Sequence, residues 1–289
     1  AILPLDSGGF GISRYFLDKH LFDIARSEGL EYFQEEALSI NFTSNQFEVT
    51  TNKQNHVADL LICAHGKRSK IDKQLNRDFI NKRSPYVGVK YHVKYNHPQN
   101  RVSLHNFENG YCGINAIEHG IVNLCYLTHR ENLKQFRSIP EMERKVLYKN
   151  PHLNKIFTEA EFLFEKPETI NEISFETKLP VENHCLMLGD AAGMITPLSG
   201  NGMSMAMRSA YMLSETIFAH ASKKDFNRSQ LEAHYANQWN AAFKNRLSKG
   251  RYMQRLFGNK LLSQLSVNLA LYSKPIARLL IKQTHGEAF

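Results

Sequence analysis

The run Leu186-Met187-Leu188-Gly189-Asp190-Ala191-Ala192-Gly193-Met194-Ile195-Thr196-Pro197-Leu198-Ser199-Gly200-Asn201-Gly202-Met203-Ser204-Met205-Ala206 decides how the chain is read. Its apolar start, Leu186 to Leu188, has the character of a buried strand and stops at Gly189-Asp190. Beyond Pro197 and two further glycines, Met203, Ala206, Met207, Ala210, Leu213 and Ile217 recur at the spacing of one face of a long helix. Ligands of open α/β sheets gather at the carboxyl edges of the strands, so Asp190 is placed to accept hydrogen bonds from sugar-like hydroxyls. Glycines let backbone N–H groups approach a ligand without interference from Cβ, and the helix start adds positive potential. The pattern suits a ligand that carries hydroxyls and an electron-rich ring.

Working outward, Phe16/Leu17, Leu21 and Ile24/Ala25 have amphipathic spacing, which predicts a helix over Ser13 to Glu28 with Gly29 as its stop. Phe47 to Thr51 alternates. Val57 to Cys63 is almost continuously apolar and reads as one buried strand ending at Ala64-His65-Gly66. Ser69, with Asp72 three positions on, predicts a capped short helix. From Ser84-Pro85 the character changes: Val87, Val89, Tyr91, Val93 and Tyr95 share one face of an extended segment, and Lys90, His92 and Lys94 the other. Arg101–Phe107, Tyr111–Ile117 and Ile121–Leu127 continue this as an antiparallel meander with turns at Glu108-Asn109-Gly110 and Glu118-His119-Gly120. Pro140 to Glu165 reads as helix broken at Pro151, Ile173 to Leu179 as strand-like alternation, and the chain from Ser229 onward as helix with a break at Pro275.

Hydrophobic residues make up 42% of the 289 and charged residues 22%, which places the chain among globular proteins. No stretch approaches the length of a membrane span, and Ala1 to Gly11 lacks the pattern of a secretory signal, so a cytoplasmic location is the default expectation. Cys63, Cys112, Cys125 and Cys185 stand singly in apolar runs and suggest neither a metal site nor a disulfide framework. The net charge of +8 is concentrated: nine Lys or Arg lie between Ala233 and Gly286 with no Asp or Glu among them. These cations (Lys244 to Lys282), interleaved with Leu256, Phe257, Leu261, Leu262, Leu265 and Leu269, suit either solvated helices packed on the rest of the protein or peripheral contact with an anionic membrane surface. No nucleic-acid reader motif accompanies the charge.

Gly189 to Ala206 resembles the G-D…P…G-x-G segment of the FAD-dependent monooxygenase and reductase superfamily typified by para-hydroxybenzoate hydroxylase and geranylgeranyl reductase. Two further pieces agree in order and spacing: Arg14-Tyr-Phe-Leu-Asp18…Leu21 is similar to that family's R-x-x-L-D-x-x-L helix, and Ala58 to Ser69 to its A-D-x-x-x-x-A-D-G-x-x-S segment. The resemblance implies FAD as cofactor, with NAD(P)H or another donor reducing it. Asp190 would bind the ribityl chain, with Gly189 and Ala191 beside it; Pro197, Gly200, Asn201 and Gly202 would face the flavin ring; and Arg14 would lie near the cofactor. The implied fold class is α/β (α+β overall), an incomplete Rossmann-like FAD-binding domain with an inserted antiparallel sheet and a helical C-terminus.

Two departures limit the resemblance. The family's Asp-Gly is His65-Gly66 here, so His65 is either a proton-handling group or a turn residue with no catalytic duty. The opening βαβ unit with G-x-G-x-x-G is also absent, because Gly9-Phe10-Gly11 has no preceding apolar strand. The expected organisation is residues 1–83 as the first part of the FAD domain without its first βαβ unit, 84–180 as the substrate sheet, 181–228 as the second part of the FAD domain, and 229–289 as a basic helical region. The expected reaction is hydroxylation or reduction of an apolar aromatic or polyene-like small molecule, argued from the Val and Tyr face of the meander. The rival reading is a non-catalytic remnant or partner-binding protein. No catalytic acid or base is singled out.

Overall fold

The structure, a computed structural model, describes residues 2–5, 8–197, 200–221, 226–256, 268, 271–273 and 275. Helix α1 (Arg14–Ser27) precedes strands β1 (Ala37–Thr43), β2 (Gln46–Thr51), β3 (Asn55–Ala58) and β4 (Ile62–Cys63) and helix α2 (Lys70–Gln74). Strands β5 (Tyr86–Lys94), β6 (Val102–Phe107), β7 (Gly110–Ala116) and β8 (Val122–His129) come next, then helices α3 (Arg130–Lys134), α4 (Ile139–Val146) and α5 (Pro151–Glu159). Strands β9 (Glu161–Phe162), β10 (Glu168–Ile170), β11 (Val181–Glu182) and β12 (Cys185–Met187) lead into helices α6 (Gly202–Ala221) and α7 (Arg228–Leu256). Residues through 33 group with 84–173 in one compact unit, and 34–83 group with 174–254 in another.

The first unit is built on a six-stranded antiparallel sheet of order β10-β5-β8-β7-β6, with β9 also paired to β5. Its register sets Val89 opposite Tyr126 and Tyr91 opposite Leu124, so the apolar alternation of the two strands falls on one face. There Val87, Val89, Val93, Ile114 and Leu124 pack with Met142, Leu147, Leu153 and Ile156 from the α4–α5 segment. Glu143 of α4 lies inside this core and accepts hydrogen bonds from the Tyr91 and Tyr126 hydroxyls at 2.9 and 2.8 Å. Burial raises its pKa above the carboxylate range. The Val and Tyr face thought to await an apolar substrate is therefore interior.

On the opposite face Lys90 pairs with Glu168 at 3.5 Å, Lys94 pairs with Glu161 at 2.8 Å, and His92 stacks on Phe164. The turn after β6 is set by Asn109 at φ 60°, followed by Gly110. A Cβ on Gly110 would stand 2.4 Å from the Leu127 carbonyl oxygen. The helix expected over Ser13 to Glu28 is present as α1; Ser13 caps it, and the Ser13 N–H donates to Glu118 at 2.8 Å. No residue of α1 is buried, however, so its predicted apolar stripe faces outward. Gly11, read as part of a weak glycine motif, has a packing reason instead: a Cβ there would lie 1.8 Å from the Ala116 carbonyl oxygen.

The second unit holds the antiparallel sheet β1-β2-β3 and the sheet β11-β12-β4, in which β12 and β4 are parallel. Its core joins Phe47, Ile71, Cys185, Leu186 and Met187 to Leu213, Tyr235, Trp239 and Phe243 of the two long helices. The single strand expected over Val57 to Cys63 is two: β3 pairs antiparallel with β2 and β4 pairs parallel with β12, so one apolar run serves two sheets. The alternation from Ile173 to Leu179 forms no strand, and these residues are irregular chain. Cys63, Cys112 and Cys185 are buried core thiols, Cys185 donating to the Asn183 carbonyl at 3.6 Å, and Cys125 is half-buried. No helix among the described residues is long and apolar enough to cross a membrane. Most of the 244–282 region, including Phe257, Leu261, Leu262, Leu265, Leu269 and the break at Pro275, lies outside the described residues or stands without described neighbours.

Candidate functional site

The site is built where β12 ends. Its three residues are fully buried and lie parallel to β4, Leu186 opposite Ile62 and Met187 opposite Cys63. Tyr235 of α7 donates its hydroxyl to the Met187 carbonyl at 2.6 Å. The chain then turns through Gly189–Ala191. Gly189 has φ +52°, and a Cβ on it would stand 3.1 Å from Ala206 Cβ, so a side chain is opposed by both backbone conformation and packing. Its N–H donates to Ser209 Oγ of α6 at 3.1 Å, and that hydroxyl donates to the Ala206 carbonyl at 2.8 Å. Small residues on α6 thus let the helix close on the turn. Gly193 is required as well, since a Cβ there would meet Leu247 and Trp239 of α7 at 2.8 Å.

A buried ionic hub holds the same turn from the other side. Arg77, 2% exposed, donates to Asp72 at 2.9 Å, to Glu182 at 2.6 Å, to the Ala191 carbonyl at 2.9 Å and to the Leu179 carbonyl at 3.2 Å. Asp72 completes the predicted capping box by accepting from the Ser69 N–H at 2.6 Å, and its other oxygen lies 3.1 Å from His65 Nε2. Burial alone would raise the Asp72 pKa, but hydrogen bonds from His65 and Arg77 outweigh it and hold the carboxyl below its usual range. For His65 burial again opposes the charge; hydrogen bonding to Asp72 and Cys63 prevails and lifts the imidazole to about 9. His65 is therefore an imidazolium at neutral pH, fixed by a carboxylate. Lys178, 6% exposed, donates to the Asp190 carbonyl at 2.7 Å and the Lys67 carbonyl at 2.8 Å, with its amine 4.1 Å above the Phe79 ring.

Downstream, Ile195 and Thr196 are buried and Pro197 and Gly200 are exposed; Leu198 and Ser199 lie outside the described residues. Gly200 takes φ +65° and donates its N–H to Pro197. The Asn201 carbonyl receives the Met205 N–H at 3.0 Å as α6 begins. A Cβ built on Gly200 or Gly202 would meet nothing within 4 Å, and the first turn of α6 carries no acidic residue. This is open backbone at a positive helix end, and it fits a flat, electron-rich ligand. Gly189, Asp190, Ala191, Pro197, Gly200, Asn201 and Gly202 thus belong to one continuous segment of the second unit. Arg14 belongs to the first unit, on α1, where its guanidinium forms a two-point contact with Asp18 at 3.0 and 2.8 Å.

Beside the end of β4 a cavity of about 520 Å³ is lined by Glu35, Ile40, Val49, Cys63, His65 and Lys70, among others. No group of three or more His, Cys, Asp or Glu that could hold a metal occurs among the described residues. Arg77, Lys178 and Ser209 escaped the sequence reading because their partners in the Gly189–Ala191 turn lie 12 to 114 positions away. Only the Ser69 and Asp72 pair signalled any part of the hub in advance.

No protein-family model matches the sequence, and no curated protein matches it. Solved structures do. HpxO from Klebsiella pneumoniae, complexed with FAD and uric acid, superposes with a TM-score of 0.70 at 16% identity, over 94% of this chain and 71% of its own. The flavin-dependent brominase Bmp2 gives 0.73 at 16% identity, over 96% and 72%. A geranylgeranyl bacteriochlorophyll reductase-like protein from Thermoplasma acidophilum gives 0.67 at 14% identity, over 87% and 66%. The chain therefore has the fold of the FAD-dependent monooxygenase and reductase superfamily, a mixed α/β architecture with antiparallel sheets and C-terminal helices.

Proposed function

We propose, from that fold and from the open glycine backbone at Gly200 and Gly202 where α6 begins, that the protein is a flavin-dependent oxidoreductase. The second unit would hold FAD, with β11-β12-β4 as part of a Rossmann-like sheet. Bound FAD, reduced by NAD(P)H or another donor, supplies the redox chemistry. The protein supplies placement. Asp190 would accept hydrogen bonds from the ribityl hydroxyls, and the turn that carries it is kept in place by Ser209, Arg77 and Lys178. The first-turn N–H groups of α6, which have no intrahelical partners, would set positive potential toward a bound flavin ring. That favours the reduced form by roughly 0.3–2 kcal/mol.

Hydroxylation and carbon–carbon double-bond reduction remain the two reactions proposed for the reduced ring. Turnover without oxygen separates them, since only the reduction proceeds. An apolar aromatic or polyene substrate no longer follows from the Val and Tyr face, which α4 and α5 cover. The test of the cofactor assignment is a visible absorption spectrum of the protein in its full natural length, wild type against Asp190→Ala. The wild type should purify with a flavin spectrum. Loss of a charged acceptor, worth about 1.5–3 kcal/mol, should weaken FAD binding roughly 10- to 100-fold in Asp190→Ala. A colourless wild type that refuses added FAD would overturn the assignment.

A further inference from the structure

Among the charged groups around the Gly189–Ala191 turn, Lys178 is set apart by its partners. Arg77 is neutralised directly by Asp72 and Glu182, and His65 by Asp72. The two hydrogen-bond acceptors of Lys178 are uncharged carbonyl oxygens, those of Lys67 and Asp190, and its third side rests on the Phe79 ring. A buried ammonium held by carbonyls and an aromatic face costs more than one held by a carboxylate, because neutral acceptors recover less of the lost hydration. The two turns it joins are those that follow the parallel strands β4 and β12, at the edge where such sheets bind ligands. Lys178 lies in the Ile173 to Leu179 stretch, whose strand-like alternation forms no strand.

We infer that Lys178 is a positioning residue of the flavin site: its ammonium clamps the turn at Lys67 to the turn at Asp190 and adds a buried positive charge to the unit that would hold the flavin, which favours the more negative, reduced form. The inference rests on the flavin reading and deepens it. The charged groups that act on the amine are Arg77, which disfavours its charge, and Asp72 and Asp190, which favour it; burial is the largest influence and brings its pKa down to about 8. The clamp is therefore cationic at neutral pH and loses its charge as pH rises through about 8, whereas an arginine in its place would stay charged.

The experiment compares wild type, Lys178→Met and Lys178→Arg in the full-length protein. FAD affinity and the flavin midpoint potential are measured from about pH 6 to about pH 10, a range spanning the shifted and the ordinary lysine pKa. Lys178→Met should bind FAD more weakly and show a lower potential than wild type below pH 8, and the gap should close above it. Lys178→Arg should keep the higher potential across the range. Identical potentials for wild type and Lys178→Met at every pH would overturn the inference while leaving the flavin reading intact. Should Lys178→Met fail to fold, a Lys178→Arg profile that follows the wild type through pH 8 would overturn it equally. A wild type that binds no FAD would overturn both.

Discussion

Replacing Arg77 by Met tests whether the hub beneath the candidate flavin turn is held by charge or merely filled by a side chain. The guanidinium is 2% exposed and makes four hydrogen bonds, two of them to carboxylates. Its removal leaves Asp72, which is fully buried, with only His65 and the Ser69 N–H, and leaves the Ala191 carbonyl without that donor. Breaking a buried ion pair by deleting one partner costs about 3–5 kcal/mol, because the survivor stays desolvated. At roughly 2–4 °C per kcal/mol for a domain of this size, the melting temperature should fall by about 6–20 °C. Trp239 is the only tryptophan and is 2% exposed in the core of the same unit, so its fluorescence in a urea titration reports on that unit directly. Arg77→Met combined with Asp72→Asn should lose less than the two single losses added, since the Arg77–Asp72 pair is then removed whole and neither of its members is left charged opposite an uncharged partner. A loss under about 1 kcal/mol for Arg77→Met would refute the reasoning, being no more than an exposed pair provides.

Two further outcomes follow from the groups around the hub. The folded pKa of His65 lies above its ordinary value, so its contribution to stability is complete below about pH 6.5 and is lost as pH rises through about 9. The advantage of wild type over His65→Gln in urea midpoint should shrink over that interval, and a difference that does not change with pH would count against the His65–Asp72 pair. For Cys63, hydrogen bonding from Cys185 is the largest influence and His65 assists it against burial, which together hold the thiol below its usual range, while burial pushes Cys112 up. Iodoacetamide labelling mapped by mass spectrometry at neutral pH should therefore mark Cys63 ahead of Cys112. The reverse order would count against a lowered Cys63 pKa.

What could be read in advance was whatever depends on neighbours a few residues apart. The Ser69 and Asp72 spacing announced a capping box that is present, and the Val87 to Val93 alternation announced the buried face of β5. Asn109-Gly110 announced a tight turn for the same reason, since the left-handed conformation is a local property. The errors arise where one local pattern has two tertiary uses. Val57 to Cys63 is uniformly apolar and looks like one strand, yet its two ends pair with different sheets, and nothing local distinguishes β2 from β12 as a partner. The alternation at Ile173 to Leu179 failed for a related reason: the period places Lys178 outward, but two carbonyls and an aromatic ring far along the chain draw its amine inward.

The same distinction divides the candidate site. Asp190 and its glycines could be put forward from the sequence because a strand, a turn and a helix start follow one another there in consecutive residues. The groups that hold Asp190 still are invisible, because Arg77, Lys178 and Ser209 meet that turn only after the chain has folded. A ligand site needs both parts, since an acceptor on a mobile turn pays back in ordering entropy what it gains in hydrogen bonding. Substitutions at Arg77 and Lys178 should therefore register at the ligand even though neither residue belongs to the motif that first drew attention to it.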